Sequence, residues 1–219
     1  VTSSPLHELD IFFSKFKPLH YKKGEVIFRA GDQPQGIFYL KSGYARVYSF
    51  SRSGEELTLI IFRPGDIFPV SWAINSAPSG YFVEAMTPAE LWRVSREEFL
   101  EYVRNKPDIL FELTRRMLER FLGLMRRMEY LVFGNANNKV ASILLICAER
   151  FGRREGKKVI VEVPLRHSDI ASLVGLTRET ASIEMKKLEN GGLVGYRGRL
   201  VTVLNIKGLR RQSMLDTFS

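Results

Sequence analysis

The stretch LTRETASIEMKKLENGGLV (Leu176–Val194) carries two sets of residues at helical spacing. Ala181, Met185 and Leu188 fall on one side, as for a helix laid on a core. Arg178, Glu179, Ser182, Ile183 and Lys186 fall on the other. Arg178 can give two hydrogen bonds to guanine O6 and N7, and Glu179 can accept one from cytosine N4. Ser182 can meet a base edge or a phosphate, and Ile183 a thymine methyl. Lys186, Lys187, Arg197 and Arg199 suit phosphates, which position a protein on a duplex without reading its sequence. The plainer alternative is a solvated face on which Glu179 is salt-bridged to Arg178 or Lys186.

Such a face needs a rigid mount, and the flanking sequence supplies one. SDIASLVG (Ser168–Gly175) reads as a shorter helix, and Gly175 opens the tight turn that joins two helices of a helix-turn-helix. Ile170, Ala171 and Val174 are spaced to face Ala181, Met185 and Leu188. Thr177 is placed to cap the second helix. Thr177, Thr180, Ser168 and His167 border the same surface and complete the candidate DNA-contacting set, with His167 aimed at a phosphate. GLVGYRGRLVTVLN reads as a two-stranded wing turned at Gly198. Upstream lie a helix over Lys139–Phe151, a basic turn RREGKK, and a strand KVIVEVPL of alternating apolar residues.

Charge agrees with this placement. The formal net charge is +9. From Asn135 onward 15 Lys and Arg face 8 Asp and Glu, a net of +7, which leaves +2 for the first 134 residues. A basic region on a nearly neutral one suits a polyanion partner.

Between Tyr21 and Val94, Gly24, Gly31, Gly36, Gly43, Gly54 and Gly65 punctuate short β-branched and aromatic runs: EVIFRA, GIFYLKSG, YARVYSF, ELTLIIF, DIFPVSW, YFVEAM and ELWRV. Such spacing predicts an all-β barrel or sandwich. INSAPSGY reads as a loop with room for a short helical turn. Ser95 and Glu98 form a capping-box signature for a helix. After Pro107, the residues Leu110, Thr114, Met117, Phe121, Leu124, Met128 and Leu131 alternate at spacings of four and three, the pattern of helices that pair along their length; Leu113, Leu118 and Leu122 widen the stripe enough for the helix to lie on its own domain as well. FGNANN breaks that helix. The expected domains are therefore residues 1–106, a β-domain; 107–134, a long helix whose dimer seam is Leu110, Met117, Phe121, Leu124, Met128 and Leu131; and 135–219, a winged helix-turn-helix.

No apolar run approaches the roughly 18 residues of a membrane span, and VTSSPLHELDIFF has no signal-peptide pattern, so a cytoplasmic protein is expected. Cys147 is the single cysteine; it allows no internal disulfide or metal cluster and reads as a core residue. No nucleophile–base set or phosphate-binding glycine loop is present, so the sequence does not read as an enzyme.

These pieces together resemble the cyclic-AMP receptor protein/FNR family of bacterial transcription regulators. The likeness spans roughly Phe16 to Leu209 and rests on KKGEVIFRAGD, GIFYLKSGYARVY, FRPGDIF, KPDIL and SDIASLVGLTRETAS…MKKLENGGLV. It implies an α+β chain: an N-terminal cyclic-nucleotide-binding-like β-roll (jelly-roll) as sensor, a long dimerisation helix, and a C-terminal winged helix-turn-helix. It also implies a homodimer on palindromic double-stranded DNA, with RNA polymerase as a further partner and Arg178 and Glu179 on bases. The next base-contacting position, commonly arginine in the family, is Ile183 here. The positions matching the family's nucleotide contacts are Val70, Ser79 and Gly80, with Leu124 and Met125 where the adenine is bound. FPVSWAINSAPSGYF contains no Arg or Lys, and a buried phosphate without a cation is costly. Cyclic AMP is therefore not expected. An apolar effector pocket of Tyr39, Tyr48, Phe68, Val70, Trp72, Ser79, Gly80, Tyr81, Leu124 and Met125 stands against side chains that fill the space themselves. With no cysteine cluster and only His7, His20 and His167, no cofactor is expected; haem, which would need an axial ligand, stays open, though none of these histidines falls in the pocket loop or on the long helix. The competing function is an effector-binding module that acts through a protein partner and has only non-specific DNA affinity.

Overall fold

The computed structural model describes residues 4–215; the first three residues of VTSSPLHELDIFF lie outside them. Two compact units divide the chain. One runs to Ser49 and resumes over Leu59–Arg120; the other joins Phe50–Thr58 to the chain from Phe121 on. The elements are α1 (Pro5–Phe13), β1 (Pro18–Tyr21), β2 (Val26–Phe28), β3 (Ile37–Ser42), β4 (Ala45–Phe50), β5 (Glu56–Phe62), β6 (Ile67–Phe68), α2 (Val70–Asn75), β7 (Phe82–Ala85), β8 (Ala89–Val94), α3 (Arg96–Arg104) and α4 (Pro107–Phe133). Then follow α5 (Ala136–Phe151), β9 (Gly152–Glu155), β10 (Lys158–Val161), α6 (His167–Val174), α7 (Arg178–Asn190), β11 (Val194–Arg197), β12 (Leu200–Val203) and α8 (Ile206–Gln212). The mixed content is the α+β class expected from the sequence.

In the first unit the strands form two sheets, ordered β1-β8-β3-β6 and β2-β7-β4-β5. The strand β3 explains the packing. Ile37 to Leu40 are all buried. Ile37 and Tyr39 join Leu9 and Phe13 of α1, Phe99 and Val103 of α3 and Ile109 of α4. Phe38 and Leu40 join Val47, Phe62 and Val83 from the other sheet. A strand covered on both faces reads as a continuous apolar run, and IFYL does. Ser95 caps α3 in the expected capping box with Glu98. One run departs from expectation. The strand character of DIFPVSW stops at Phe68, and Val70–Asn75 is a helical turn that takes in the first residues of INSAPSGY and ends at Ser76 with φ 58°.

The long helix α4 exposes Leu110, Met117, Phe121, Leu124 and Met128, together with Phe111, Leu118, Leu122 and Met125. Leu131 is half-buried.

In the second unit α5 opens with a capping box between Asn135 and Asn138 and buries Val140, Ile143, Leu144 and Cys147. Its sheet is ordered β11-β12-β10-β9. RREGKK, read as a basic turn, is instead a hairpin: β9 pairs with β10 from Lys158↔Glu155 to Val161↔Gly152, and the chain reverses at Gly156, whose φ is 59°. The Phe50–Thr58 segment is fastened from within this unit. The Thr58 and Ser172 hydroxyls lie 2.8 Å apart. Arg127, only 8% exposed, donates through Nη2 to the carbonyls of Thr58 and Leu173, each at 2.5 Å.

Candidate DNA-reading site

Two helices and a tight turn build the site. The helix α6 is closed by Gly175 in the left-handed region, φ 62° and ψ 42°, where a side chain would be strained. Two residues later Thr177 caps α7, its hydroxyl accepting from the Thr180 amide at 3.1 Å. Ile170, Ala171 and Val174 are buried with Ala181, Met185 and Leu188, which fixes how α7 lies on α6. At the start of α6, Asp169 accepts from the Arg166 amide at 2.8 Å and from its guanidinium.

The opposite face of α7 is turned outward. Arg178, Glu179, Ile183 and Lys186 are exposed, and Ser182 is half-buried. Among the described residues neither Arg178 nor Glu179 has an ion pair or hydrogen bond through its side chain; Lys186 pairs with Glu189 at 2.9 Å instead. Thr177 and Thr180 share a hydroxyl contact of 2.9 Å. On the wing, Arg199 is exposed, whereas Arg197 donates to Glu155 at 2.5 Å. Arg153 first, and Arg197 beside it, hold the Glu155 carboxyl below the usual carboxylate range. Ser168 is exposed. His167 lies between elements, its Nδ1 3.0 Å from Ser182 Oγ and its Nε2 2.9 Å from Tyr196 Oη.

Three residues at this site carried no signal in the sequence. Tyr196 read only as part of a wing. Glu184 read as one more charge on an amphipathic helix, yet it is 6% exposed and accepts from Asn137 Nδ2 at 3.1 Å and Lys187 Nζ at 2.7 Å. It thereby ties α7 to the first turn of α5. Arg127 gave no sign of its tie to α6.

Within the first unit, the residues read as an effector pocket fall in several places. Tyr39 belongs to the helix-covered side of its sheet, stacked on Phe13 and Trp92, with Val70 and Trp72 packed against that cluster. Phe68 lies between the sheets, stacked on Phe62 at 4.4 Å between ring centroids. Tyr48 alternates with the inward Val47 and stacks on Phe82, with Arg46 over its ring. Ser79 turns its hydroxyl to the Tyr81 carbonyl at 2.9 Å, Gly80 is exposed, and Tyr81 is 48% exposed. Leu124 and Met125 belong to the other unit. Cys147 is 1% exposed, and burial pushes its thiol up to about 12, which disfavours the reactive thiolate. No group of three or more His, Cys, Asp or Glu among the described residues is placed to hold a metal, and no described helix is long and apolar enough to cross a membrane.

Comparison with known proteins agrees with this architecture. Residues 18–106 match the cyclic nucleotide-binding domain, and residues 138–212 match the Crp-like helix-turn-helix domain. The chain is 28% identical over 187 residues to the cyclic AMP receptor protein of Thermus thermophilus, covering 85% of this chain and 83% of that one. It is 25% identical over 194 residues to the global nitrogen regulator of Synechococcus elongatus, covering 88% and 87%. A structure of a CooA variant from Carboxydothermus hydrogenoformans superposes with a TM-score of 0.79 at 22% identity, covering 96% of each chain, a likeness of fold. A cyclic-nucleotide-binding β-sheet domain, a long helix and a C-terminal helix-turn-helix define a transcription regulator with a DNA-binding domain. The chain belongs to the Crp-Fnr family.

Proposed function

We propose that this regulator is a homodimer that binds palindromic DNA sequence-specifically, with α7 of each copy in a major groove, and that it needs no cyclic AMP. The observation that carries the reading is the state of Arg178 and Glu179. They stand exposed at the first turn of α7, with no partner for either side chain among the described residues. A salt-bridged surface pair would have satisfied itself; this pair is left for base edges. Arg199, Lys187 and Ser168 supply contacts to phosphates around it, with Ile183 available to a thymine methyl. Two copies pairing along α4 would cover Leu110, Met117, Phe121, Leu124, Met128 and Leu131, and would set two α7 helices about one DNA turn apart. An apolar stripe of that extent is the mark of an interaction surface.

Independence from cyclic AMP rests on two points. The segment FPVSWAINSAPSGYF offers no cation to a cyclic phosphate. The aromatic side chains of the β-domain pack on one another, Phe38 on Phe68 and Phe68 on Phe62, which favours a self-filled core over an effector pocket. RNA polymerase is the expected partner of the DNA-bound dimer, and the activity is regulatory rather than enzymatic. The test is selection from a random duplex library with purified protein and no added nucleotide. A two-fold symmetric enriched motif is expected. Enrichment that appears only when cyclic AMP is added refutes the ligand-independent reading. No enrichment under either condition refutes sequence-specific binding and leaves the protein-partner module.

A further inference from the structure

His167 opens the first helix of the motif, and its ring reaches both α7 and the wing strand β11, the two elements proposed above to face DNA. Nδ1 meets the Ser182 hydroxyl on α7, and Nε2 meets the Tyr196 hydroxyl on β11. A neutral imidazole has one N–H and one bare lone pair. The ring therefore donates in one of these contacts and accepts in the other, and the two hydroxyls are polarised in opposite senses. A phosphate contact by the wing would decide which way. Tyr196 is 43% exposed and is followed on the wing by Arg197 and Arg199. Phosphate oxygens only accept, so a wing hydroxyl turned to the backbone of DNA must give its own proton outward. Its oxygen is then free to accept from Nε2–H. Nδ1 is left as the acceptor, and Ser182 must direct its proton to it. Ser182 Oγ then has only lone pairs to offer the groove.

We propose that His167, held in one tautomer by Tyr196, makes Ser182 an acceptor-only base reader, and that Tyr196 itself is a phosphate contact. The base beside Ser182 must then present an amino group, adenine N6 or cytosine N4; guanine O6 and thymine O4 are acceptors and are excluded. This rests on the DNA-reading role proposed above. His167 is a positioning residue: it acts on the base through Ser182.

The test is the same random-library selection on the wild type and on Ser182→Ala, His167→Ala and Tyr196→Phe. The wild type is expected to favour one base pair by roughly tenfold at one position per half-site, and to lose that preference when the amino-bearing base of the pair, adenine or cytosine, is replaced by its analogue without the exocyclic amino group. All three variants are expected to lose that preference at that position and to keep the rest of the motif, which also shows that the domain is folded. Tyr196→Phe should in addition weaken binding to every sequence to a similar extent. The conservative Tyr196→Phe change decides the matter, because a merely structural role for the contact gives no reason for one distant base preference to relax. An unchanged preference on the duplex lacking that amino group overturns the proposal, as does a Tyr196→Phe motif identical to that of the wild type. A symmetric motif with no Ser182-dependent position overturns this inference alone, whereas the absence of any motif takes the DNA-reading role down with it.

Discussion

Arg127→Met tests the least expected contact in the second unit. Methionine keeps an unbranched apolar stem, so the packing of the methylenes is largely retained. What disappears is the donor to Thr58 O and Leu173 O. Leu173 lies in the last turn of α6, where carbonyls have no partner within the helix, and a cation there also opposes the negative end of the helix dipole. Hydrogen bonds from a charged donor contribute about 1.5–3 kcal/mol each. Burial of the guanidinium works the other way, and it holds the Arg127 pKa below its ordinary value. Two lost bonds less the relieved desolvation leave a cost of about 3 kcal/mol, on the order of a hundredfold in the local opening constant. Hydrogen exchange of the full chain reads this directly. Peptides spanning residues 50–58 and 167–176 should lose protection by about that factor, while those of β3 should not change. If both peptides exchange within about threefold of the wild type, the contact does not hold the segment and the reasoning is refuted.

Three further outcomes follow from the same structure. Glu112 is held by Arg115, and further by Arg116, at about 2 against an ordinary 4.5. A depressed carboxylate contributes stability above its unfolded pKa and loses it as pH falls through the folded one; the advantage of wild type over Glu112→Gln in chemical denaturation should therefore shrink between about pH 4.5 and 2, and a constant difference across that window refutes the assignment. Cys147, buried with its pKa near 12, should resist a thiol reagent at neutral pH in the folded protein and react at once in denaturant. Phe121→Glu, at a side chain 58% exposed on α4, should leave the monomer folded while sedimentation shows dimer replaced by monomer; an unchanged dimer places the seam elsewhere.

The parts of the fold that could be read from the sequence are those set by local chemistry. Gly175 and Thr177 specify a turn and a cap within three residues, so the helix-turn-helix was readable with its inward and outward faces. The run GIFYLKSG marked a strand, though not that it is covered on both faces. Pairing across distance was not readable. Tyr39, Phe68 and Tyr48 differ in which face of which sheet they occupy, and aromatic composition carries no such parity until strand partners are known. β9 is short, exposed along its length and charged, so no hydrophobic alternation distinguished RREGKK from a turn. Arg127 finds its acceptors 69 and 46 residues away, and Tyr196 meets His167 at a separation of 29. Tyr196 read from the sequence only as part of the wing, and Arg127 was not singled out.

The central claim is that Arg178 reads a base. The most direct measurement is fluorescence anisotropy of the wild type and of Arg178→Ala on a selected palindrome and on the same duplex with one symmetric pair of guanines replaced. The account predicts that the wild type loses roughly 1–3 kcal/mol of affinity per replaced base and that Arg178→Ala binds both duplexes alike. If Arg178→Ala discriminates between them as the wild type does, the outward face of α7 does not read DNA in the way described.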